Sequence, residues 1–170
     1  MPSHGYWPTA SGYRVFRFVA YLPSSATVEV LAADQHAGTS FFGLRVGGVL
    51  TPAAAMISNN SPAPYVISGA GPAGGSWPNS QWQPFSHVNG DEWYFTGTPG
   101  STGYLQIDFG TGAQINPTQF GWVDDTDGNN PTRITLLASN TGAFAGEQVT
   151  LADITTPGFT SSGNLKLFAA

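Results

Sequence analysis

The stretch 124–130, Asp-Asp-Thr-Asp-Gly-Asn-Asn, sets three carboxylates and two side-chain amides within seven residues. Oxygen groups at that density, with Gly128 to turn the backbone, are what a hard cation such as calcium takes. Asp124, Asp125 and Asp127 are the candidate ligands. Asp125-x-Asp127-Gly128-Asn129 is a fragment of a calcium-loop pattern, and no Glu closes it at the required spacing. The same residue types make good turns, so a solvated turn between strands is the other reading. A second candidate is Asn89-Gly90-Asp91. Asn89 and Asp91 offer oxygens there, while Asn-Gly is equally a tight-turn signal.

A third group suits carbohydrate. Trp77, Asn79, Gln81, Trp82 and Gln83 combine flat aromatic faces with amides in a charge-poor loop, and Asn59 and Asn60 add two more amides. Rings stack on sugar C–H faces and amides bond sugar hydroxyls. Tryptophans at such positions also serve as core or interface anchors. Catalysis finds little support. His4, His36 and His87 lie far apart, and neither Gly-x-Ser-x-Gly nor His-Glu-x-x-His occurs. A glycosidase pair would have to come from Glu29, Glu92 and Glu147, and nothing in their spacing brings them together. The expectation is a protein that is not an enzyme.

These loops need a scaffold, and the composition indicates which. With 170 residues, 41% hydrophobic and 13% aromatic, the chain can bury one sizeable core. Its 22 glycines and 13 prolines suit short strands joined by turns. Charged residues are only 9%, which suits a chain that buries surface in a homo-oligomer or larger assembly. A net charge of −5 disfavours nucleic acid. There is no cysteine, hence no disulfide and no thiolate metal site. No apolar run approaches the roughly 20 residues of a membrane helix, so no membrane insertion is expected. Met1-Pro2-Ser3-His4-Gly5 lacks a charged region followed by an apolar core, so no secretory leader is expected either.

Periodicity places the loops on strands. Residues 13–21 form a strand with Phe16, Phe18 and Ala20 on one face and Val15, Arg17, Val19 and Tyr21 on the other. Arg14 and Arg17 call for carboxylate partners, because a covered guanidinium needs one. Further strands are expected at 27–32, 40–46, 104–109, 117–123, 133–139, 148–151 and 164–168. No sustained period of 3.6 residues occurs, so only short helical turns are expected. Residues 1–12 read as an arm carrying Tyr6 and Trp7. Residues 51–80 carry no charge and read as a long Gly/Pro/Ser-rich insertion, with 65–67 its one strand-like run. The expected architecture is all-β: an antiparallel sandwich over 13–170.

Asn89-Gly-Asp-Glu-Trp93, a short turn and Tyr104-Leu-Gln-Ile-Asp-Phe-Gly110 resemble the middle of a discoidin-like domain. That family is the coagulation-factor C-type branch of the galactose-binding-like jelly-roll sandwiches. The later stretch Pro131-Thr-Arg-Ile-Thr-Leu-Leu-Ala-Ser139 is similar to the family's following hairpin. Asn89 stands where the family usually has Asp, and Tyr104 where it often has Trp. Tyr13-Arg-Val-Phe-Arg17 resembles the opening strand of members found in bacteriophage tail and virion proteins. The resemblance covers about 13–30 and 80–150. It implies a virion component that attaches to cell-surface glycans by weak, multivalent binding, beside other virion proteins. It also implies a structural calcium near the Asn89–Asp91 loop. The alternative is a capsid or tail decoration whose aromatic loops bind viral neighbours.

Overall fold

The computed structural model describes residues 12–25, 27–34, 40–71, 80–155 and 157–170. The expectations for His4, Tyr6, Trp7 and His36 lie outside these. Eleven strands run through the described residues: β1 (Val15–Tyr21), β2 (Thr27–Leu31), β3 (Gly43–Val46), β4 (Val49–Thr51), β5 (Val66–Ala70), β6 (Glu92–Thr96), β7 (Thr102–Asp108), β8 (Gln119–Val123), β9 (Arg133–Ser139), β10 (Val149–Ile154) and β11 (Leu165–Ala169). One 3-10 turn, Gln83–Phe85, is the helical element among them. The architecture is an all-β antiparallel sandwich.

Period-two alternation builds the first sheet, ordered β10-β9-β1-β7-β5. Phe16, Phe18 and Ala20 of β1 stand opposite Ile107, Leu105 and Gly103 of β7, and opposite Ala138, Leu136 and Ile134 of β9. All nine face inward, and the apolar ones are buried. The outward face carries the arginines. Arg14 donates to Asp108 at 2.7 and 2.5 Å, and Arg133 to Asp153 at 2.7 and 2.5 Å. Arg17 differs from the expectation of a carboxylate partner. It bonds Gln106 at 3.0 and 2.8 Å and lies between the Tyr104 and Phe144 rings, 4.1 and 3.9 Å from their centroids. Two aromatic faces and an amide stabilise that guanidinium, and the Glu147 carboxylate acts on it through its charge.

The second sheet, β11-β8-β3-β4, packs against the first. Phe18 meets Phe42 at 4.9 Å, Phe120 at 6.2 Å and Phe85 at 6.3 Å between ring centroids, and Trp122 meets Phe42 edge-on at 5.4 Å. These rings occupy the middle of the core. The segment 51–80, read as an insertion, is partly a component of the sandwich. It supplies edge strand β5, and it buries Met56, whose N–H donates to Phe85 O at 2.9 Å. β5 is hard to see in sequence because Gly69, one of its two inward residues, has no side chain to mark the alternation.

A separate two-stranded sheet, β2-β6, covers one region of the first sheet. Val28 and Val30 face the core opposite Phe95 and Trp93. Three glycines make room for these side chains. A Cβ on Gly69 would stand 2.9 Å from the Trp93 ring, and one on Gly71 or Gly103 only 2.5 or 2.3 Å from the Phe95 side chain. β6 was not expected as a strand of its own. Glu-Trp-Tyr-Phe-Thr reads as a run of aromatics, and only Trp93 and Phe95 turn out to be core residues.

Gly103→Ala is therefore expected to drive Cβ into the buried Phe95 ring. The loss of unfolding free energy should be about 1–3 kcal/mol, measured by urea denaturation. Combining it with Phe95→Leu should cost less than the sum of the two single changes, because the shorter side chain vacates the contact.

Candidate functional site

The inward seating of Trp93 and Phe95 decides where the neighbouring side chains go. Residues between them and beside them face out, and among these are Glu29 of β2 and Glu92 of β6. Glu29 pairs with Tyr94 and Leu31 with Glu92, so the two glutamates are diagonal neighbours on one face. The 124–130 loop closes on the open edge of β2. Glu29 N donates to Asn129 O at 3.0 Å, and Asn129 Nδ2 donates to Glu29 Oε1 at 2.9 Å. Asp125, only 1% exposed, lies against the Glu29 carboxyl. Its Oδ2 accepts from Asn129 N at 2.9 Å, and its own N–H donates to Asn130 Oδ1 at 2.8 Å. The loop is thus a self-bonded turn that holds one carboxylate against β2.

Four acids gather at this place with no base among them. Burial, then the charges of Asp125 and Glu92, push the Glu29 carboxyl up to about 7. Burial also raises Glu92, and Asp125 and Asp127 add to the effect. The chain has five Lys and Arg in all, and each is engaged elsewhere. Arg14 and Arg133 hold aspartates, and Arg17 lies between rings. Lys166 donates to Gly158 O. Arg45, 7% exposed, donates to the carbonyls of Phe41, Gly43 and Leu44 at 2.5, 3.3 and 3.1 Å.

Beside the acids is an open cavity of about 360 Å³ lined by Ser80, Gln83, Gly90 and Glu92. One wall is the 3-10 turn, anchored by the buried Pro84 and Phe85. The other is the Asn89-Gly90 turn. Asp91 N closes that turn onto Val88 O at 3.2 Å, and Gly90 takes φ +91°, which a side chain would resist. Asp91 O ties it to β2 by accepting from Ala32 N at 2.9 Å. Among the described residues neither the Gln83 amide nor the Glu92 carboxylate has a hydrogen-bond partner. Two unengaged polar side chains converging on a cavity of this size are a usual arrangement for a small polar ligand.

The expected site residues divide. Trp77 and Asn79 lie outside the described residues. Gln81 Oε1 accepts from Asn59 Nδ2 at 2.8 Å, and Asn59 Oδ1 accepts from Trp82 N at 3.0 Å, so those two amides hold the loop together. Trp82 is half-buried and packs on the core. Of this stretch, Gln83 reaches the cavity. Asn89 is exposed, Asp91 half-buried and Asp127 exposed.

Asp124 corrects the cation reading of its loop. It is 0% exposed, and its two oxygens accept from the backbone N–H groups of Thr160, Ser161 and Ser162 at 2.9, 3.1 and 3.2 Å. The Thr160 and Ser162 hydroxyls add two further bonds, at 3.3 and 3.1 Å. Burial works to raise this carboxyl, and the hydrogen bonds outweigh it and hold it low. Asp124 is therefore a loop organiser, and Asp124, Asp125 and Asp127 do not form one oxygen cage. Among the described residues no three or more acid or histidine side chains are disposed to hold a metal ion. Glu147 is likewise committed. It accepts from Ser139, Thr141, Phe144 and Ala145, which pulls it down to about 2 and leaves it in its own turn. Sequence spacing gave no sign that Glu29 and Glu92 would meet, because their contact is made by strand pairing across 62 intervening positions.

A Glu29 carboxyl held high makes stability depend on pH. An unfolded glutamate titrates near 4.5 and the folded one near 7, so between these values the unfolded chain binds fewer protons. Stability should fall as the pH rises through that window. The loss is of the order of 1 kcal/mol once solvent screening is discounted. Glu29→Gln keeps an acceptor for Asn129 and removes the charge. It should flatten the melting temperature between pH 5 and 8 and raise it at pH 8. A variant with unchanged slope would show that Glu29 is not the group responsible.

No family model, no curated protein and no solved structure matches the chain.

Proposed function

We propose that the protein is a non-enzymatic recognition module, a virion component of the phage tail or fibre type, that attaches to cell-surface glycans. The observation that carries the binding part is the cavity between the 3-10 turn and the Asn89-Gly90 turn, with Gln83 and Glu92 unengaged on its wall. An amide and a carboxylate supply the donors and acceptors that sugar hydroxyls require, and the volume suits about one sugar ring. The virion context rests on the discoidin-like resemblance of the 13–17 and 89–110 motifs. A single shallow site binds weakly. Repeated around an oligomer, it gains apparent affinity through effective concentration, by about 10²–10⁴ where geometry permits.

A second reading has its own observation. Each of the four strands at the edges of the two larger sheets exposes a large aliphatic side chain: Val149 of β10, Val66 of β5, Val49 of β4 and Leu167 of β11. β4 and β5 also lack any charged residue to discourage strand pairing. Such edges suit an assembly protein that docks on virion neighbours.

Glycan-array binding of the purified, oligomeric protein separates the two, with Gln83→Ala/Glu92→Ala as the comparison. The attachment reading expects specific binding that the double variant loses at least about tenfold while particle incorporation is kept. A silent array, with Val49→Lys/Val66→Lys blocking incorporation, supports the assembly reading instead. Running the array with calcium and with chelator tests the cation that the resemblance implies. Binding lost to chelator assigns calcium to the Asn89–Asp91 turn, and binding retained removes metal from recognition.

A further inference from the structure

This inference rests on the cavity being a carbohydrate site. We infer that its ligand carries a positive charge: an amino sugar with a free ammonium group, selected over N-acetylated, neutral and acidic sugars. The charged group on the cavity wall is Glu92, half-buried and without a hydrogen-bond partner. Glu29 stands diagonally beside it on the same face of the β2–β6 pair, and Asp125 is held against Glu29 by the 124–130 turn. Asp127 contributes to the same field.

Among the described residues no side chain neutralises this group. Two of the arginines hold Asp108 and Asp153 on the outer face of the first sheet, and Arg17 is enclosed by rings there. The basic groups closest in chain to the cavity turns are also turned away. Arg45 faces the carbonyls of 41, 43 and 44, and His87 stacks on Phe41 at 4.9 Å with a backbone bond to Pro52. Burial, with Arg45 nearby, pushes that imidazole below its ordinary range. A chain with twice as many acids as bases pairs Asp108 and Asp153 with arginine and leaves Glu92 on the cavity wall with acids, not bases, as its charged neighbours.

The consequence is selectivity by charge. An incoming ammonium relieves the mutual repulsion of the carboxylates and lowers the proton affinity of Glu92 and Glu29. A uronate or sialate adds a further anion to the same place and is repelled. Gln83, across the cavity, bonds a hydroxyl in either case and does not discriminate.

The test is a chemical-shift titration of the ¹⁵N-labelled full chain with glucosamine, N-acetylglucosamine and glucuronate, at low salt and below the amine's own pKa. The amino sugar should bind about tenfold tighter than the N-acetylated one, with shifts at residues 80–92, and glucuronate should give none. Glu92→Gln should bring the first two sugars level. Equal or tighter binding of N-acetylglucosamine or glucuronate, or a preference that survives Glu92→Gln, overturns the charge inference and leaves the glycan reading standing. No shifts with any of the three sugars, together with a silent glycan array, overturns both.

Discussion

The seating of two aromatic rings on three glycines is the constraint on which the rest of this structure depends. Trp93 lies over Gly69, and Phe95 over Gly71 and Gly103, with contacts that leave no room for a β-carbon. That fixes the β2–β6 pair against the first sheet in one register, since a shift of one residue would turn both rings to solvent. Everything at the candidate site follows. With Trp93 and Phe95 inward, Glu92 and Glu29 must be outward and diagonal. The Asn89-Gly90 turn that leads into β6 is then carried to the wall of the cavity.

The few charges of this chain are used in two opposite ways. On the outer face of the first sheet, bases meet acids or rings, and Asp108 and Asp153 are held low by arginine, strongly enough to oppose their own desolvation. Beside the cavity, acids meet acids, and Glu29 and Glu92 are held high by burial and by each other's neighbours. The two sets pull stability in opposite directions with pH. The low carboxyls lose their contribution as pH falls below the usual carboxylate range, and the high ones cost more as it rises toward neutrality. Repulsion of the second kind lies beside the cavity, where it opposes the stability of the fold rather than adding to it.

Carboxylates without arginine partners mostly organise loops here. Asp124 gathers the N–H groups of 160–162 and so guides the chain into β11. Glu147 collects the turn after β9 and thereby lays Phe144 over Arg17. A chain so poor in charge depends on such local acceptors, because three successive backbone N–H groups near the surface need partners that neighbouring strands do not provide.

Much of the fold was legible along the chain. The runs 13–21, 104–109 and 133–139 marked the central strands of the first sheet, and β9 begins and ends where its pattern does. Inward and outward faces follow from a period of two, which is a property of the backbone alone. The Asn-Gly turn was also visible, because only a few residue types tolerate φ > 0. The partners of the carboxylates were not. Asp124, Asp125 and Asp127 look alike in sequence, yet one caps a distant loop, one is buried against Glu29 and one is exposed. Trp77, Asn79, Gln81, Trp82 and Gln83 read as one sugar-binding group, and of its three described members Gln83 lines the cavity. Local pattern marked most of the strands and turns, though not β4 or β6, because those preferences act over a few neighbours. Tertiary packing alone decided which acids meet, because contacts between Glu29, Glu92 and the 124–130 loop exist only once two sheets and their glycine seats have closed.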